Sequence, residues 1–283
     1  MRVLIAGADG MLARDVIGAA QRRGHEVAAL GRRELDIGDP SSIDAAVGGL
    51  APEAVINCAA YSDVDGAEDD ERGAMRINDE GAALLAAAAE RVGAKIVYPS
   101  SDYVFDGTKR SAYVESDLPA PISAYGRSKL GGETSVAVAN PRHFIVRASW
   151  LYGQGGKNFV ETMLQLGREQ SEVLVVSDQR GCPTSCVPLA AAMVELVEGD
   201  EYGIHHIAGS GSCSWFEFAA EIFDQAGLQT RVMSTTTEMM ARKAPRPAYS
   251  VLVSERPDPL TLPEWQRSLR RYLADRELEG ARG

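Results

Sequence analysis

The sequence predicts a doubly wound α/β fold, in which helices cover both faces of a parallel sheet and a smaller C-terminal lobe follows. Two observations lead to this prediction. Apolar runs typical of buried strands alternate with helical patterns from Arg2 to about Ala148, and small or polar residues follow the strand ends. The chain has 283 residues, 45% of them hydrophobic, which is enough for one large domain with an added lobe.

Charge and cysteine content argue against several classes of partner. The net charge of -11 disfavours nucleic acid and anionic membranes, because both select basic surfaces. No apolar run approaches the ~20 residues of a membrane span, and Arg2 leads into a strand without a signal-peptide core. The cysteines fit no zinc spacing, so we expect no metal site and reduced thiols in a cytoplasmic protein. They are Cys58, Cys182, Cys186 and Cys213.

The N-terminal turn has the pattern of a dinucleotide-binding site. Arg2–Ala6 is a continuous apolar strand, and Gly7-x-x-Gly10-x-x-Ala13 opens a helix that we expect to stop at Gly24. The first glycine makes the tight turn, and the second lets the backbone approach a pyrophosphate at the helix N-terminus. A plain glycine-rich turn is the alternative, but the position after a strand favours a Rossmann-like site. The residues expected at the cofactor here are Gly7, Gly10, Met11 and Leu12.

The end of the second strand indicates the preferred cofactor. His25–Leu30 (HEVAAL) is followed by Arg32 and Arg33, where NAD-specific sites commonly have an acidic residue. Arginine suits a ribose 2′-phosphate, so the sequence favours NADPH bound through Arg32, with NADH left open as a second cofactor. Two solvated arginines are the alternative interpretation.

Helix start signals separate the next strands. Asp39 is a predicted N-cap, with Pro40 at the first helical position. The alanine-rich run Gly81–Ala89 predicts the helix before the fourth strand.

The third and fourth strands are followed by candidate site residues. Ala54–Asn57 leads into Cys58-Ala59-Ala60, whose small side chains let the backbone pass close to a cofactor. The strand Ile96–Tyr98 is expected to end at Pro99, and Ser101 follows shortly after. Ligands of such sheets bind outside the carboxyl ends of the strands, so these residues should converge on one site.

Tyr125 and Lys129 form a Tyr-x-x-x-Lys pair after the fourth strand. Residues four apart on a helix share a face, so both side chains can point at one spot. A nearby cation lowers the pKa of a phenol from its reference of ~10, and Ser101 can hydrogen-bond the same substrate oxygen. These groups suit protonation of a carbonyl oxygen while hydride reaches its carbon. The pair alone is a weak signal, because most such pairs lie on solvated helix faces.

The later elements continue the alternation. His143–Ala148 is the predicted fifth strand, Asn158 begins a helix, and Val173–Val176 and Tyr202–Gly209 are further strands. The tandem His205-His206 lacks a carboxylate or cysteine at ligand spacing, which favours strand packing over a metal site.

The C-terminal part is predicted to form the smaller lobe. Ser214 and Glu217 make a capping box before a helix that ends near Gly227, and a closing helix begins at about Pro263. We expect a cofactor-binding domain at 1–150, to which about 173–210 returns, and mainly a substrate-binding lobe at 151–283.

Several sequence motifs together resemble those of the dTDP-4-dehydrorhamnose reductase family, which belongs to the extended short-chain dehydrogenase/reductase superfamily. They are SSDYVFDG at 100–107, YGRSKLGGE at 125–133, N-x-A-A-Y-x-x-V-D-x-A-E at 57–68, R-x-S-W-x-Y-G at 147–153 and D-Q-x-G-x-P-T at 178–184. The resemblance spans most of the chain. It implies hydride transfer from NADPH to the C4 ketone of dTDP-4-dehydro-L-rhamnose, which gives dTDP-L-rhamnose.

The resemblance also implies residue roles. Tyr125 would donate the proton, Lys129 would lower the pKa of that phenol and bind the nicotinamide ribose, and Ser101 would orient the carbonyl. An aspartate such as Asp36 lies at the adenine in that family. The implied catalytic residues are Ser101, Tyr125 and Lys129. The implied cofactor residues are Gly7, Gly10, Met11, Leu12, Arg32, Asp36, Ile37, Ala59, Ala60, Ser62, Tyr125 and Lys129. The implied substrate residues are Val64, Ser101, Tyr103, Tyr125 and Trp150.

Departures from the family pattern keep some questions open. Ser101 stands where threonine is usual, which preserves the hydroxyl. Asp15 stands where some members carry a glutamate connected with a magnesium-linked dimer, so a magnesium requirement is open, as is the choice between monomer and homodimer. A core role for Trp150 competes with a substrate role.

Three alternative functions also remain. The chain can reduce another nucleotide-linked 4-keto-6-deoxysugar, or it can be a non-catalytic NADP-binding regulator like the β subunit of methionine adenosyltransferase. An epimerase or dehydratase is less well matched, because Tyr103 follows Asp102 where a dehydratase is expected to have glutamate.

Overall fold

Alternating strands and helices run along the chain. The computed structural model describes residues 1–280, apart from the side chains of 277, 279 and 280. The strands are β1 (Arg2–Ala6), β2 (Glu26–Leu30), β3 (Ala54–Asn57), β4 (Lys95–Ser101), β5 (His143–Ala148), β6 (Leu151–Tyr152), β7 (Glu172–Val176), β8 (Arg180–Gly181), β9 (Thr184–Ser185), β10 (Gly203–His206), β11 (Cys213–Ser214) and β12 (Arg231–Thr235). The helices are α1 (Met11–Arg22), α2 (Pro40–Leu50), α3 (Glu71–Met75), α4 (Ala82–Arg91), α5 (Ala124–Ala139), α6 (Phe159–Glu169), α7 (Cys186–Glu198), α8 (Trp215–Gln225), α9 (Thr237–Met240) and α10 (Trp265–Gly280).

Six of these strands form one parallel sheet in the order β10-β5-β4-β3-β1-β2. β1 and β3 are almost wholly apolar and buried, as expected for strands covered on both faces. One face packs against α1 and α7, and the other packs against α2, α4 and α5. The predicted doubly wound parallel sheet is therefore confirmed, and its connections reverse direction between β1 and β3.

β4 is longer than the sequence indicated. The prediction that the strand ends at Pro99 is wrong, because β4 continues to Ser101 and pairs with β5 along that length. On its β4 side, β3 pairs with Lys95–Val97. Pro99 therefore lies beyond the end of β3, where a missing backbone N–H removes no bond to that neighbour.

The predicted helix starts are confirmed. Asp39 accepts a hydrogen bond from the N–H of Ser41, with Pro40 at the first helical position of α2. Asn158 caps α6, and Ser214 with its downstream glutamate forms the capping box of α8. Ser123 caps α5 directly before the Tyr-x-x-x-Lys pair, which fixes where that helix begins.

A π-helical segment at Arg76–Gly81 joins α3 to α4. It places the buried Asn78 so that its amide exchanges hydrogen bonds with the backbone of Tyr61 and donates to Ser128 on α5. The hydroxyl of Tyr98 on β4 donates to the Asn78 carbonyl at 2.7 Å. This segment therefore ties the β3 loop, β4 and α5 together beneath the carboxyl edge of the sheet.

The chain after β5 divides between the sheet and a smaller unit. α7 packs on α1, and β10 joins the sheet beside β5, where it ends at His206 opposite Arg147. β7 instead pairs with β12, and these strands pack with α6, α8 and α10 around a second core. The domain limits at 150 and 151 stay a prediction.

Among the described residues, no helix combines the length and the apolar character that crossing a membrane requires.

Two glycines in helices provide a matched test of the packing around α5. A Cβ on Gly132 would collide with the Asn78 carbonyl and the Tyr98 ring, which are hydrogen-bonded to each other. We expect Gly132→Ala to destabilise the protein by about 1–3 kcal/mol because of this overpacking. A Cβ on Gly49 of α2 would meet nothing within 4 Å, so Gly49→Ala should add about 0.5–1 kcal/mol. Urea unfolding measures both, and equal stabilities would contradict the packing described.

Candidate active site

The turn from β1 to α1 brings backbone amides to the carboxyl edge of the sheet. Gly7 has φ of +75°, and its N–H donates to the Leu30 carbonyl at 2.9 Å. A Cβ at Gly7 would lie 2.6 Å from the Ala59 nitrogen, so only glycine allows this approach to the β3 loop. Gly10 is the N-cap of α1. The first-turn amides of a helix have no partner within it and favour anions.

A cavity of about 350 Å³ opens beside this turn, between the ends of β1, β2 and β3. It therefore lies at the point where the strand order reverses, which is the usual ligand position in doubly wound sheets. Among the predicted cofactor residues, those that line it are Gly7, Gly10, Arg32, Asp36, Ile37, Ala59 and Ala60.

Five predicted cofactor residues lie outside the lining of this cavity, namely Met11, Leu12, Ser62, Tyr125 and Lys129. The side chain of Met11 packs near Gly153 and Gly156, and Leu12 packs against the apolar core under α1. Ser62 is exposed on the β3 loop. The prediction that Met11 and Leu12 contact the cofactor therefore depends on their backbone N–H groups and not on their side chains.

The end of β2 provides a cation at the mouth of the cavity. The side chain of Arg32 is 76% exposed, and its Nε lies 3.8 Å from Asp36 Oδ2. Asp36 Oδ1 accepts from the Gly38 N–H at 2.9 Å, and Glu34 accepts from the Gly31 N–H at 3.0 Å. Both carboxylates thus order the loop backbone, and the long exposed Arg32 side chain is free to reorient toward a ligand.

The predicted catalytic residues come from two neighbouring elements. Ser101 ends β4, and Tyr125 lies in the first turn of α5, where its phenol lies near the Ser101 hydroxyl. Tyr103 meets the Tyr125 ring edge-on at a centroid distance of 5.8 Å. Lys129 is buried one turn further on, with its Nζ 4.0 Å from the centroid of the Tyr98 ring.

The protonation of these groups is governed by burial. Burial, followed by the nearby carboxyl of Asp102, raises the pKa of Tyr125 to about 12, against a lowering by the Ser101 hydrogen bond. Burial lowers the pKa of Lys129 to about 7, against the opposing charges of Glu133 and Cys58. The expectation that Lys129 lowers the pKa of the Tyr125 phenol is therefore wrong for this structure. Loss of hydration outweighs the cation, and the lysine ammonium lies over Tyr98 instead.

A buried ion pair behind the site was missed by sequence reasoning. Arg147 donates to both carboxylate oxygens of Glu133 at 2.9 and 2.7 Å, and Ser100 donates to the same carboxylate at 2.5 Å. The arginine and glutamate side chains are only 2% and 4% exposed. Glu133 lies four residues after Lys129, so it shares the lysine's helix face; that spacing was the available signal.

The two histidines of β10 pack within the fold. His206 lies 3.4 Å from the Arg147 guanidinium and bonds backbone carbonyls through Nδ1. Burial, together with Arg147, lowers its pKa against the opposing effect of Glu115. His205 bonds the Glu201 carbonyl at 2.7 Å.

A second buried carboxyl adjoins the Ser101 hydroxyl, which is predicted to be catalytic. Asp102 is 2% exposed and accepts from Ser101 at 3.0 Å and from Ser250 at 2.6 Å. Burial raises the pKa of Asp102 to about 7, against the lowering effect of both hydroxyls. Ser250 belongs to the C-terminal part of the chain, and its sequence neighbourhood gives no signal of this contact.

The predicted substrate residues Val64 and Tyr103 lie beside an ion pair. Both side chains are half-buried. Arg246 reaches Asp65, the residue after Val64, with nitrogen-to-oxygen distances of 3.1 and 2.9 Å, and its guanidinium holds the pKa of Asp65 below the usual range. The Tyr103 phenol lies near Arg246. The C-terminal lobe therefore closes this side of the site with a cation.

Trp150 follows β5 in an unusual backbone conformation. Its φ of +50° lies in the left-handed region, which non-glycine residues rarely adopt. Its indole stacks on that of Trp215 with a centroid distance of 3.5 Å and an interplanar angle of 7°. A Cβ at Gly181 would lie 2.5 Å from the Trp150 ring. The indole is thus held between α8 and the β8 backbone at the carboxyl edge of the sheet.

Comparison with known proteins places this architecture in one family. The family model described as the RmlD substrate binding domain matches residues 1–278. The chain is 38% identical to the dTDP-4-dehydrorhamnose reductase of Sinorhizobium fredii, with 99% of each chain covered. It is 40% identical to a protein of Streptomyces antibioticus named as a probable dTDP-4,6-dihydroxy-2-methyloxan-3-one 4-ketoreductase, with 97% of this chain and 95% of that protein covered.

A solved structure shows the same fold over nearly the whole chain. The dTDP-4-dehydrorhamnose reductase of Bacillus anthracis, determined in complex with NADP, superposes with a TM-score of 0.94 at 40% identity. The match covers 97% of this chain and 99% of that one. On these matches, the chain belongs to the RmlD substrate-binding-domain family, as its sequence motifs predicted.

Proposed function

We propose that this protein is a reductase that uses NADPH to reduce the C4 ketone of dTDP-4-dehydro-L-rhamnose, giving dTDP-L-rhamnose. The observation that carries the proposal is the position of Tyr125 and Ser101. They adjoin each other at the same sheet edge as the glycine-lined cavity. Family membership supports the same conclusion, because relatives along the full length carry that reductase name.

The lining of the cavity suits the adenosine and pyrophosphate part of a dinucleotide. Gly7 and Gly10 leave backbone amides at the N-terminus of α1 accessible to the pyrophosphate. The small side chains of Ala59 and Ala60 leave room for the cofactor on the opposite side of the cavity. Asp36, with Ile37 beside it, would meet the adenine, and Arg32 would meet a 2′-phosphate. NADPH, when bound, supplies the hydride for the C4 carbon. NADH as a second cofactor and a role for magnesium stay open.

Tyr125 is the proton donor in this proposal. A phenol whose pKa is raised to about 12 keeps its proton at neutral pH, so Tyr125 is protonated before each turnover. Ser101 holds the ketone oxygen beside that phenol. Lys129 binds the nicotinamide ribose, since its ammonium lies one helical turn beyond the phenol and is shielded from water.

The sugar and its diphosphate occupy the side that the C-terminal lobe closes. Val64, Tyr103 and Trp150 would line the deoxysugar, where a flat indole can cover its apolar C5–C6 edge for about 1–2 kcal/mol. Arg246 supplies a guanidinium at this edge, and guanidinium–phosphate hydrogen bonds are strong and directional. The Asp65 partner keeps Arg246 oriented until the substrate arrives.

A second substrate is the main competing proposal. The Streptomyces antibioticus relative carries the name of a ketoreductase for a different dTDP-linked sugar at similar identity. Reduction of another nucleotide-linked 4-keto-6-deoxysugar is therefore tested alongside the rhamnose precursor. A non-catalytic regulator is less well supported, because Ser101, Tyr125 and Lys129 are all present.

We also propose that the protein is cytoplasmic and that it is a monomer or a homodimer. All four cysteines are free thiols, which suits the reducing cytoplasm. A monomer or a homodimer is compatible with a site built from one chain.

The function is tested directly with the wild-type protein. The 4-keto substrate, formed in situ with a 3,5-epimerase, is supplied with NADPH, and we expect dTDP-rhamnose by mass spectrometry and NMR. Tyr125→Phe is the matched control, which should lose turnover by ~10²–10⁴ while still binding NADPH. If folded wild-type protein binds NADPH but makes no product from any 4-keto sugar, the regulatory alternative replaces this one. Near-native turnover of the phenylalanine variant would instead remove the proton-donor role.

Cofactor preference tests the position of Arg32. A contact with the 2′-phosphate should make Arg32→Ala weaken NADPH by roughly tenfold and leave NADH nearly unchanged, because charged hydrogen bonds contribute ~1.5–3 kcal/mol. Arg33→Ala, an exposed neighbour, is the control. Fluorescence titration gives both dissociation constants for each variant. A larger effect at Arg33 would move the contact to that residue.

The indole stack tests the substrate role of Trp150. Trp215→Ala removes the surface that holds Trp150, whereas Trp215→Phe keeps an aromatic face against it. Such pairs contribute about 0.5–1.5 kcal/mol, so we expect the alanine variant to raise KM for the sugar nucleotide about 2- to 10-fold. NADPH affinity should not change in either variant. Unchanged KM for the alanine variant would leave Trp150 with a packing role alone.

A further inference from the structure

The Ser101 hydroxyl has a buried carboxyl directly behind it. Asp102 is 2% exposed and Ser250 is 1% exposed. Ser101 donates to Asp102 Oδ1 at 3.0 Å, and Ser250 donates to Asp102 Oδ2 at 2.6 Å. The Asp102 carboxyl thus joins the Ser101 hydroxyl to the Ser250 hydroxyl, which belongs to a residue 148 positions after Asp102.

The backbone holds Ser250 firmly in place. Its N–H donates to the Arg180 carbonyl at 2.8 Å, and the Arg180 N–H donates to the Ala248 carbonyl at 2.9 Å. On the other side, the Tyr113 N–H donates to the Val251 carbonyl at 2.8 Å. A hydroxyl anchored on both sides can orient a carboxyl with little loss of conformational entropy.

The Ser101 hydroxyl has a single proton. The acceptor to which that proton points decides whether the hydroxyl can donate a hydrogen bond to the ketone. Ser101 Oγ already accepts from the Tyr103 N–H at 3.2 Å. If Asp102 is ionised, its oxygens only accept, so the Ser101 O–H stays hydrogen-bonded to Oδ1 and cannot donate to a ketone. If Asp102 carries a proton on Oδ1, the carboxyl donates to Ser101 Oγ and the serine proton is available to the substrate.

Ser250 determines which carboxyl oxygen carries that proton. Its hydroxyl donates to Oδ2, which keeps Oδ2 an acceptor and leaves Oδ1, the oxygen facing Ser101, as the protonated one. We propose that Ser250 and Asp102 are positioning residues that turn the Ser101 hydroxyl toward the ketone oxygen when Asp102 is protonated and away from it when Asp102 is ionised. This inference rests on the proposed reductase function and deepens it.

The surroundings of Asp102 are consistent with a change of protonation near neutral pH. Tyr103 and Tyr125 face it from the following turn and from α5, and Cys182 faces it from the β8–β9 loop. Arg246 on that side is paired with Asp65. Burial therefore dominates and raises the pKa of Asp102 to about 7, while its two hydroxyl partners lower it.

The pH dependence of kcat/KM is the first readout. The protonated carboxyl is the competent form, so kcat/KM should fall as pH rises through about 7. Asp102→Asn should remove the part of this fall that comes from the carboxyl and leave only the part that comes from Lys129, whose pKa is also about 7. In this variant Ser250 orients the amide oxygen toward itself and the amide N–H group toward Ser101. Ser250→Ala should move the fall upward by about one pH unit, since a hydrogen bond to the ionised form is lost. Ser250→Thr should restore the wild-type profile.

Ser254→Ala is the matched control. Ser254 lies in the same segment and donates to a carboxylate oxygen of Glu115, also at 2.6 Å. Its removal should leave the pH profile unchanged. An alkaline fall that is the same in wild type, Asp102→Asn and Ser250→Ala would overturn the proposal.

A second readout does not depend on turnover. The carboxyl C=O band of Asp102 is followed by difference infrared spectroscopy of wild type against Asp102→Asn as pH is changed. We expect it to titrate near 7, and higher in Ser250→Ala but not in Ser254→Ala. Titration near the ordinary ~3.9 of aspartate, or a band that Ser250→Ala does not move, would overturn the positioning role even in a protein that reduces its substrate. Absence of turnover with the expected titration would instead count against the reductase function alone.

Discussion

The buried ion pair between Glu133 and Arg147 fixes the helix that carries Tyr125, the proposed proton donor. Glu133 lies on α5 two turns after Tyr125, and Arg147 lies on β5 inside the sheet. A pair this buried must stay intact, because removal of one partner leaves an unpaired charge at a cost of about 3–5 kcal/mol. Ser100 on β4 joins the same carboxylate. Helix α5 is therefore held in register with the two strands that end at the site.

That rigidity allows burial to decide the protonation states in the site. Tyr125 and Lys129 are both withdrawn from water, and withdrawal favours the neutral form of each. The phenol is thus kept as a proton donor, and the lysine titrates near neutrality instead of remaining a fixed cation. A Tyr-x-x-x-Lys pair on an exposed face of the same helix would have neither property. The spacing is therefore effective here only because α5 packs against the sheet.

The predictions that were correct rest on interactions between residues that are close together in the sequence. Gly7 and Gly10 act through a turn and a helix N-terminus a few residues away, and Ser214 caps the helix that it precedes, so short patterns are sufficient. The predictions that were wrong concern residues whose behaviour depends on contacts with residues far away in the sequence. Pro99 is tolerated within β4 because β3 is short, and the pKa of Tyr125 is raised by packing that no i+4 spacing reports. The contact between Ser250 and Asp102 spans 148 positions and could not be anticipated from sequence.

Residues from the N-terminal half and from the C-terminal part of the chain meet at the proposed reaction site, and this limits how far a cofactor domain can be separated from a substrate lobe. Arg246 holds the β3 loop through Asp65, and Ser250 holds the carboxyl behind Ser101. Both contacts come from one C-terminal segment, so movement of that segment would change substrate access and the donor state of Ser101 together. A lobe that provides none of the three predicted catalytic side chains can therefore still control the chemistry, because it determines where a single buried proton lies.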